Sequence, residues 1–225
     1  MSKSLVGDMS DWSGMLAEFF RQIKDGSKTK EQLQAFLENR NPFAITDIRQ
    51  EWEEFYRKYF RMTVDFTEVA IPDNPSDFER VIFIPQGLTY AAIVKVLKKR
   101  FKTWFYTENL DKDIKDDVRT SDKAYAVRFR ERVEADEEMK NLSANDLKVK
   151  SINSITLMER LILELKYYAE TGKHLDISNV TLCAGSRGFD GGVPGVRWGG
   201  GRLSVGWCFP DGARDSLRAR VAVSA

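Results

Sequence analysis

Two alternating runs near the end of the chain constrain its fold more than any other feature. Residues 195–199 read Gly-Val-Arg-Trp-Gly, and residues 202–208 read Arg-Leu-Ser-Val-Gly-Trp-Cys. A period of two is the signature of a β-strand with one buried face. Gly199-Gly200-Gly201 can supply the positive φ that a hairpin turn needs. The sequence therefore predicts a hairpin whose apolar face, with Trp198 and Trp207, packs on a core.

The segment that holds this hairpin uses a restricted set of amino acids. All 17 Lys and all 16 Glu precede Ala184, and the 42 residues from Ala184 onward also lack Gln, Asn, His, Met, Ile, Thr and Tyr. These nine types differ in charge, β-propensity and size, so a requirement of folding would not exclude them together. They share an adenine in the first or second position of every codon. An adenine-poor coding segment explains this, and a GC-rich, glycine-rich tail of no special meaning is the alternative.

The same segment resembles the variable proteins of diversity-generating retroelements, in which adenine-directed mutagenesis rewrites part of a C-type-lectin-like domain. The likeness covers about Phe78 to Ala225. It rests on these residues: Leu182-Cys183-Ala184-Gly185-Ser186, Val193-Pro194, Trp198, Trp207 and Leu217-Arg218-Ala219-Arg220. The Gly-Gly-Ser-Trp and Gly-Phe-Arg marks common in this lectin class are absent, since residues 184–187 read Ala-Gly-Ser-Arg and residues 217–220 read Leu-Arg-Ala-Arg. The resemblance implies an α+β fold over residues 63–225, with two helices, an antiparallel sheet and a diversified segment at 184–216.

The rest of the chain supplies elements for such a domain. Residues 1–62 read as a helical N-terminal segment with aromatic stripes that we interpret as core. Residues 63–71 and 80–84 are predicted strands, and residues 111–122 are predicted to be a surface loop. Two main helices are predicted, near residues 89–101 and 156–171, because Thr89 can cap the first and Thr156 with Glu159 can form a capping box for the second.

The non-core side of the predicted sheet and its turns form the expected ligand-binding surface. Each position chosen has a residue type that replacement of adenines in an Asn codon can produce. The predicted binding residues are Arg187, Phe189, Asp190, Gly192, Gly195, Arg197, Gly199, Gly200, Ser204, Gly206, Cys208, Phe209, Gly212, Arg214 and Asp215. An Asn codon cannot become Trp in this way, so Trp198 and Trp207 are assigned to the scaffold. The expected function is recognition of a variable ligand, of which a protein is the leading class.

Two other functions stay open. An enzyme related to the sulfatase-modifying oxidases, which share a lectin-like fold, would have only Cys183 or Cys208 with His174 as a reactive set. No nucleophile elbow, His pair or phosphate-binding glycine loop accompanies them, so an enzyme is not expected. A nucleic-acid-binding or structural component of a mobile element would depend on the basic residues 95–102 and the Arg128 face. A net charge of +1 gives no general attraction to nucleic acid.

Cofactors, metals and membranes are not expected from this sequence. The two cysteines have no companion ligands at metal-binding spacing, and the Asp-rich run at 111–122 lacks the spacing of a calcium loop. No apolar run reaches the length of a membrane span, and Met1-Ser2-Lys3-Ser4 leads into no signal-peptide core. A cytoplasmic protein is the default expectation.

Overall fold

The computed structural model describes residues 9–25, 29–38 and 47–225 of an α+β protein with mixed sheets. The chain divides into two compact units, Met1–Asp47 and Ile48–Ala225. The helices are α1 (Met9–Lys24), α2 (Lys30–Leu37), α3 (Ile48–Phe60), α4 (Tyr90–Arg100), α5 (Leu110–Asp113), α6 (Ala144–Val149) and α7 (Leu157–Thr171). The strands are β1 (Arg80–Ile84), β2 (Thr103–Phe105), β3 (Ile114–Asp117), β4 (Tyr125–Phe129), β5 (Val180–Leu182), β6 (Ser186–Gly188), β7 (Val193–Gly199), β8 (Arg202–Cys208), β9 (Leu217–Arg218) and β10 (Val223–Ser224).

The predicted N-terminal helical segment is divided between the two units. In the first unit, α1 exposes Met15, Leu16 and Phe20, so its apolar stripe is not a core there. In the second unit, α3 buries Trp52, Phe55 and Tyr56, as expected for a core helix. The structural division after Asp47 therefore places α3 with the C-terminal domain.

The predicted strand at residues 63–71 is wrong. Side chains of α3 satisfy the backbone of this segment, because Arg49 donates to the carbonyls of Phe66 and Val69 at 3.1 Å and Glu53 accepts from Phe66 N at 3.0 Å. Phe66 is fully buried and packs on Tyr56, with ring centroids 5.9 Å apart. With its backbone groups bonded locally, the segment has no need of a neighbouring strand.

The two predicted main helices are confirmed, and their ends follow the sequence signals. The Thr89 side chain accepts from Ala92 N at the start of α4. Thr156 and Glu159 form both bonds of a capping box at the start of α7, and Gly172 ends α7 with a φ of 69°. A left-handed residue at a helix end is most favourable as glycine, so Gly172 fixes the end of α7.

The C-terminal strands do not form the single antiparallel sheet that the sequence predicts. A five-stranded sheet has the order β2-β8-β7-β5-β9, in which β2 is parallel to β8 and β9 is parallel to β5. Strand β10 instead joins β4 and β1, and β6 pairs with β3. The hairpin itself is as predicted, since β7 and β8 are antiparallel and Gly200 and Gly201 have φ of 60° and 72°.

The acidic segment 111–122 is not a plain surface loop. It contributes the end of α5 and strand β3, whose Ile114 is buried. Asp117 Oδ2 accepts from Tyr90 OH at 2.7 Å, and Asp117 Oδ1 accepts a hydrogen bond from Ser186 Oγ. Burial raises the pKa of Asp117 to about 6, although these two hydrogen bonds act in the other direction. The segment is thus paired and hydrogen-bonded with β6, the first strand after Ala184, where the restricted composition begins.

A buried charge network joins α7 to the strands of the five-stranded sheet. Asp176 accepts from Arg220 Nη2 at 2.7 Å and from Arg160 Nε at 2.9 Å, and all three side chains are almost fully buried. Arg160 Nη2 makes a further charge contact with Asp176 at 2.8 Å that lacks hydrogen-bond geometry. Burial alone would raise the pKa of Asp176, but the charges of Arg220 and Arg160 hold it below its usual value.

Candidate functional site

The two faces of the β7-β8 hairpin have different surroundings. On the inner face, Val196, Leu203 and Val205 are fully buried in the main core. Trp198 and Trp207 lie on the same side by strand alternation, but both are only half-buried because they stand at opposite ends of the sheet. The predicted assignment of faces therefore holds, and both tryptophans lie more inside than outside without being fully buried.

One end of the outer face is covered by a second, smaller core. Leu182 and Val193 pack there with Leu217 and with Ala144 and Leu147 of α6. A short helix thus occupies the part of the outer face nearest β5 and β9. Residues at this end are structural even though they point away from the main core.

The other end of the outer face is an open groove of about 480 Å³. Its lining comes from β2, β5, β7, β8, the hairpin turn and the loop after β8. The lining residues are Trp104, Val180, Gly195, Arg197, Gly199, Gly200, Arg202, Ser204, Gly206, Trp207, Cys208 and Arg214. We call this site the sheet groove.

Small residues form the floor of the sheet groove. Ser204 lies opposite Arg197, and Gly206 lies opposite Gly195 in the strand register. A β-carbon at Gly206 would meet nothing closer than 3.8 Å, so the groove is open above this position. The floor therefore leaves depth for ligand side chains.

One indole ring stands at the side of the sheet groove. Trp104 is 44% exposed, and the parallel pairing of β2 with β8 places it beside Ser204. The Trp207 indole lies on the inner side of β8, where its Nε1 donates to Asp190 Oδ1 at 3.2 Å and its ring packs edge-on against Phe209, with ring centroids 4.6 Å apart. An aromatic wall beside a small-residue floor can contact an apolar group of a ligand.

The sheet groove is positively charged. Arg197, Arg202 and Arg214 line it, and within the described residues none of the three has a hydrogen bond or ion pair to the protein. Arg202 lies over the Trp104 ring at 5.8 Å from the centroid, and the Arg197 guanidinium lies over Gly199. No lining residue is acidic. The guanidinium donors are therefore free to bind acceptors of a ligand.

Cys208 contributes a weakly reactive thiol to the sheet groove. Burial raises the pKa of Cys208, although the nearby charge of Arg214 acts to lower it. A thiol with a raised pKa is mostly protonated at neutral pH and a poor nucleophile. Its role in the sheet groove is to fill space.

Most of the predicted binding residues meet in this one groove. They are Gly195, Arg197, Gly199, Gly200, Ser204, Gly206, Cys208 and Arg214. Two of these are less free to vary than predicted. Gly195 is buried, and a β-carbon there would lie 3.1 Å from both Cys208 Sγ and Val180 Cγ1. Gly200 has a positive φ that strains most other residue types.

A second group of predicted residues lies around Trp207 at the end of the hairpin. Phe189 and Phe209 are 73% and 66% exposed. Asp190 Oδ1 accepts from Gly192 N at 2.9 Å as well as from the Trp207 indole, so Asp190 holds the Trp207 ring in place. Gly192 is buried against the Trp207 ring, which leaves no space for a side chain. The prediction that Gly192 belongs to the variable surface is wrong.

The remaining predicted residues lie elsewhere. Arg187 donates from Nη1 to the carbonyls of Ala184 and Ser186 at 2.7 and 2.8 Å, and it lines a different groove beside α6. Gly212 N donates to Phe209 O in the loop after β8, and Asp215 is exposed in the same loop. Arg187 is therefore not part of the sheet groove.

Sequence reasoning missed Trp104, Val180 and Trp207 as lining residues. Trp104 is far from the hairpin in sequence, and nothing local indicates that β2 pairs with β8. Arg202, beside the hairpin turn, is one of the aromatic or Arg anchors that the sequence offers, although the predicted binding residues omit it.

The alternative reactive set is not assembled. Cys183 is fully buried, and burial raises the pKa of its thiol well above the usual value. His174 stacks on Trp198, with ring centroids 3.3 Å apart, and its Nδ1 lies 2.8 Å from Glu164 Oε1. Cys208 lies on the other face of the sheet and five residues along β8 from the partner of Trp198, about 17 Å away. His174 is therefore a packing residue beyond the end of α7.

The Arg128 face is also used by the fold. Arg128 donates to the carbonyls of Pro72 and Phe78, Arg130 pairs with Asp136 at 2.9 Å, and Arg132 pairs with Glu138 at 2.7 Å. These arginines therefore satisfy neighbouring acceptors of the fold.

Metal ligands and membrane-spanning segments are absent from the part of the chain that the structure describes. No group of three His, Cys, Asp or Glu side chains there could hold a metal ion. No helix in residues 9–25, 29–38 or 47–225 combines the length and apolar character needed to cross a bilayer.

No protein-family model, curated protein or solved structure matches the chain. We therefore infer the function of this protein from the geometry of the sheet groove and the composition of the segment that forms it.

Proposed function

We propose that the second unit is a C-type-lectin-like domain and that the sheet groove binds a variable ligand, most simply a protein. In this proposal, adenine-directed mutagenesis by a diversity-generating retroelement rewrites the groove side chains. The resemblance supports this proposal, as do the two helices α4 and α7 beside a sheet that contains the β7-β8 hairpin.

One observation carries the proposal. The β7-β8 hairpin of the restricted segment folds so that its side chains separate into a buried inner set and an outer set. Val196, Leu203 and Val205 are fully buried, whereas Arg197 and Ser204, which lie opposite each other on the outer face, make no side-chain hydrogen bond within the described residues. Outer-face side chains can then change without a cost to the core.

A fixed frame around the variable positions supports the same proposal. Trp104 precedes the restricted segment, and Trp207 cannot arise from an Asn codon by replacement of adenines. The Trp104 indole lines the sheet groove, while the Trp207 indole lies on the inner side of β8. A binding surface gains most of its free energy from a few anchors, so a constant indole beside changing neighbours would retain affinity while specificity varies.

The genetic half of the proposal is tested at the locus. We expect a near-copy of the coding sequence for residues 184–216, rich in adenine at the groove codons, beside a reverse transcriptase gene. Codons for Leu203 and Val205 should be the same in both copies. A locus with neither the copy nor the reverse transcriptase gene would refute the retroelement.

The physical half is tested by block replacement. Replacing Arg197, Ser204, Phe209 and Arg214 together with other residue types should change the free energy of unfolding by less than about 0.5 kcal/mol per site. The control is Leu203→Ala, which removes a fully buried side chain and should cost roughly 2–5 kcal/mol. Equal losses in the two variants would show that the outer face is ordinary structure.

A further inference from the structure

We propose that the sheet groove of this protein binds an acidic polypeptide segment, whose Asp or Glu carboxylates pair with Arg197, Arg202 and Arg214. This inference rests on the proposed function, because it names the ligand class of the same site.

The state of the arginines is the first argument. Several arginines elsewhere in the second unit are bonded to the protein: Arg119 donates to Glu159 at 2.6 Å and Arg220 donates to Asp176 at 2.7 Å. The three groove arginines have no such partner within the described residues. A guanidinium presents a rigid fork of donors that matches a carboxylate in two parallel hydrogen bonds. Three unpaired forks around one groove are complementary to several carboxylates.

The shape of the groove is the second argument. Trp104 stands beside the arginines, and Ser204 and Gly206 leave the floor low. An apolar side chain of a peptide can pack on this indole while flanking carboxylates meet the arginines. Trp and Arg are also the residue types that dominate protein–protein binding energy.

The surrounding charge favours a polypeptide over nucleic acid. Exposed Asp190 accepts a hydrogen bond from the Trp207 indole at the end of the hairpin, and exposed Asp215 directly follows Arg214. A phosphate backbone needs an extended basic surface and would meet these carboxylates as it left the groove. A short acidic segment of a folded protein can stay inside the positive region.

The test uses the full chain and a phage library of random octapeptides. Peptides selected on the protein should contain Asp and Glu at least about twofold above the unselected library, because complementary charge sets specificity. An enriched peptide should then bind at least about tenfold more weakly to the triple variant R197Q/R202Q/R214Q in fluorescence anisotropy.

The matched control is K95Q/K98Q/K99Q, which removes the same charge from exposed positions of α4. We expect it to leave the affinity unchanged. Selection without Asp and Glu enrichment, equal weakening by both triple variants, or tighter binding of a short oligothymidine than of the peptide would overturn the inference. If these binding results fail while the block replacement of Arg197, Ser204, Phe209 and Arg214 leaves stability unchanged, only the acidic ligand class is refuted. Loss of stability in that block variant refutes the separable surface itself.

Discussion

The indole ring of Trp207 lies directly on the backbone of Gly192, and a β-carbon at position 192 would fall within the ring. A position that codon logic assigns to the variable surface is therefore closed by a tryptophan assigned to the scaffold. The closure connects the turn before β7 to the end of β8, and Asp190 completes it by accepting from both Gly192 N and Trp207 Nε1.

The first prediction concerns this contact. Gly192→Ala should displace Trp207 and lower the free energy of unfolding by about 1–3 kcal/mol, the usual cost of overpacking. Gly206→Ala is the control, because its β-carbon enters open space and should change stability by no more than about 0.5 kcal/mol. Urea unfolding followed by tryptophan fluorescence measures both. Similar values for the two variants would mean that Trp207 moves aside freely.

Asp190 should tolerate Asn but not Ala. An Asn side-chain oxygen can accept the same two hydrogen bonds, whereas Ala leaves Gly192 N and the Trp207 indole without this acceptor. We expect Asp190→Ala, and not Asp190→Asn, to increase hydrogen exchange at Gly192 and to shift the Trp207 emission to longer wavelength. If Asn and Ala behave alike, the hydrogen bonds do not position the indole.

Asp117 should make stability depend on pH. Its pKa is raised by burial to about 6 from an ordinary value of 3.8, so the folded state binds the proton more tightly than the unfolded state. Its contribution to stability is full below pH 3.8 and is lost as pH rises through about 6. The loss should be on the order of 2–3 kcal/mol.

Asp117→Asn should remove this dependence. The difference in unfolding free energy between the variant and the unchanged protein should therefore grow in favour of the variant from pH 4 to pH 8. Asp211→Asn, at an exposed position, is the control and should run parallel to the unchanged protein. A parallel profile for Asp117→Asn as well would contradict the assignment.

The last prediction concerns the buried charge network. Asp176→Asn removes the only carboxylate that pairs with both Arg160 and Arg220 among the described residues, and both guanidinium groups are almost fully buried. An uncompensated buried charge should cost roughly 3–5 kcal/mol. Asp215→Asn, an exposed change of the same kind, should be nearly neutral. Urea titration of the two variants is the measurement, and a cost below about 1 kcal/mol for Asp176→Asn would show that water reaches the network.

Local signals in the sequence determined several elements correctly. Thr89 and the Thr156/Glu159 pair begin α4 and α7, and Gly200 with Gly201 turns the β7-β8 hairpin. These predictions succeed because a cap or a positive φ depends on residues within one turn of chain. Alternation also assigned Val196, Leu203 and Val205 to the core, since a strand has only two faces.

Tertiary structure alone decided what covers each face. Leu182 points to the outer face, yet it is buried because α6 lies over that end of the sheet. Trp104 reaches the groove because β2 runs parallel to β8, and segment 63–71 forms no strand because Arg49 and Glu53 already bond its backbone. The period of a strand states on which side a residue lies, but not whether another element packs there. Whether another element packs on a given side depends on contacts between residues far apart in the chain. These contacts leave the sheet groove open and close the positions covered by Trp207 and α6.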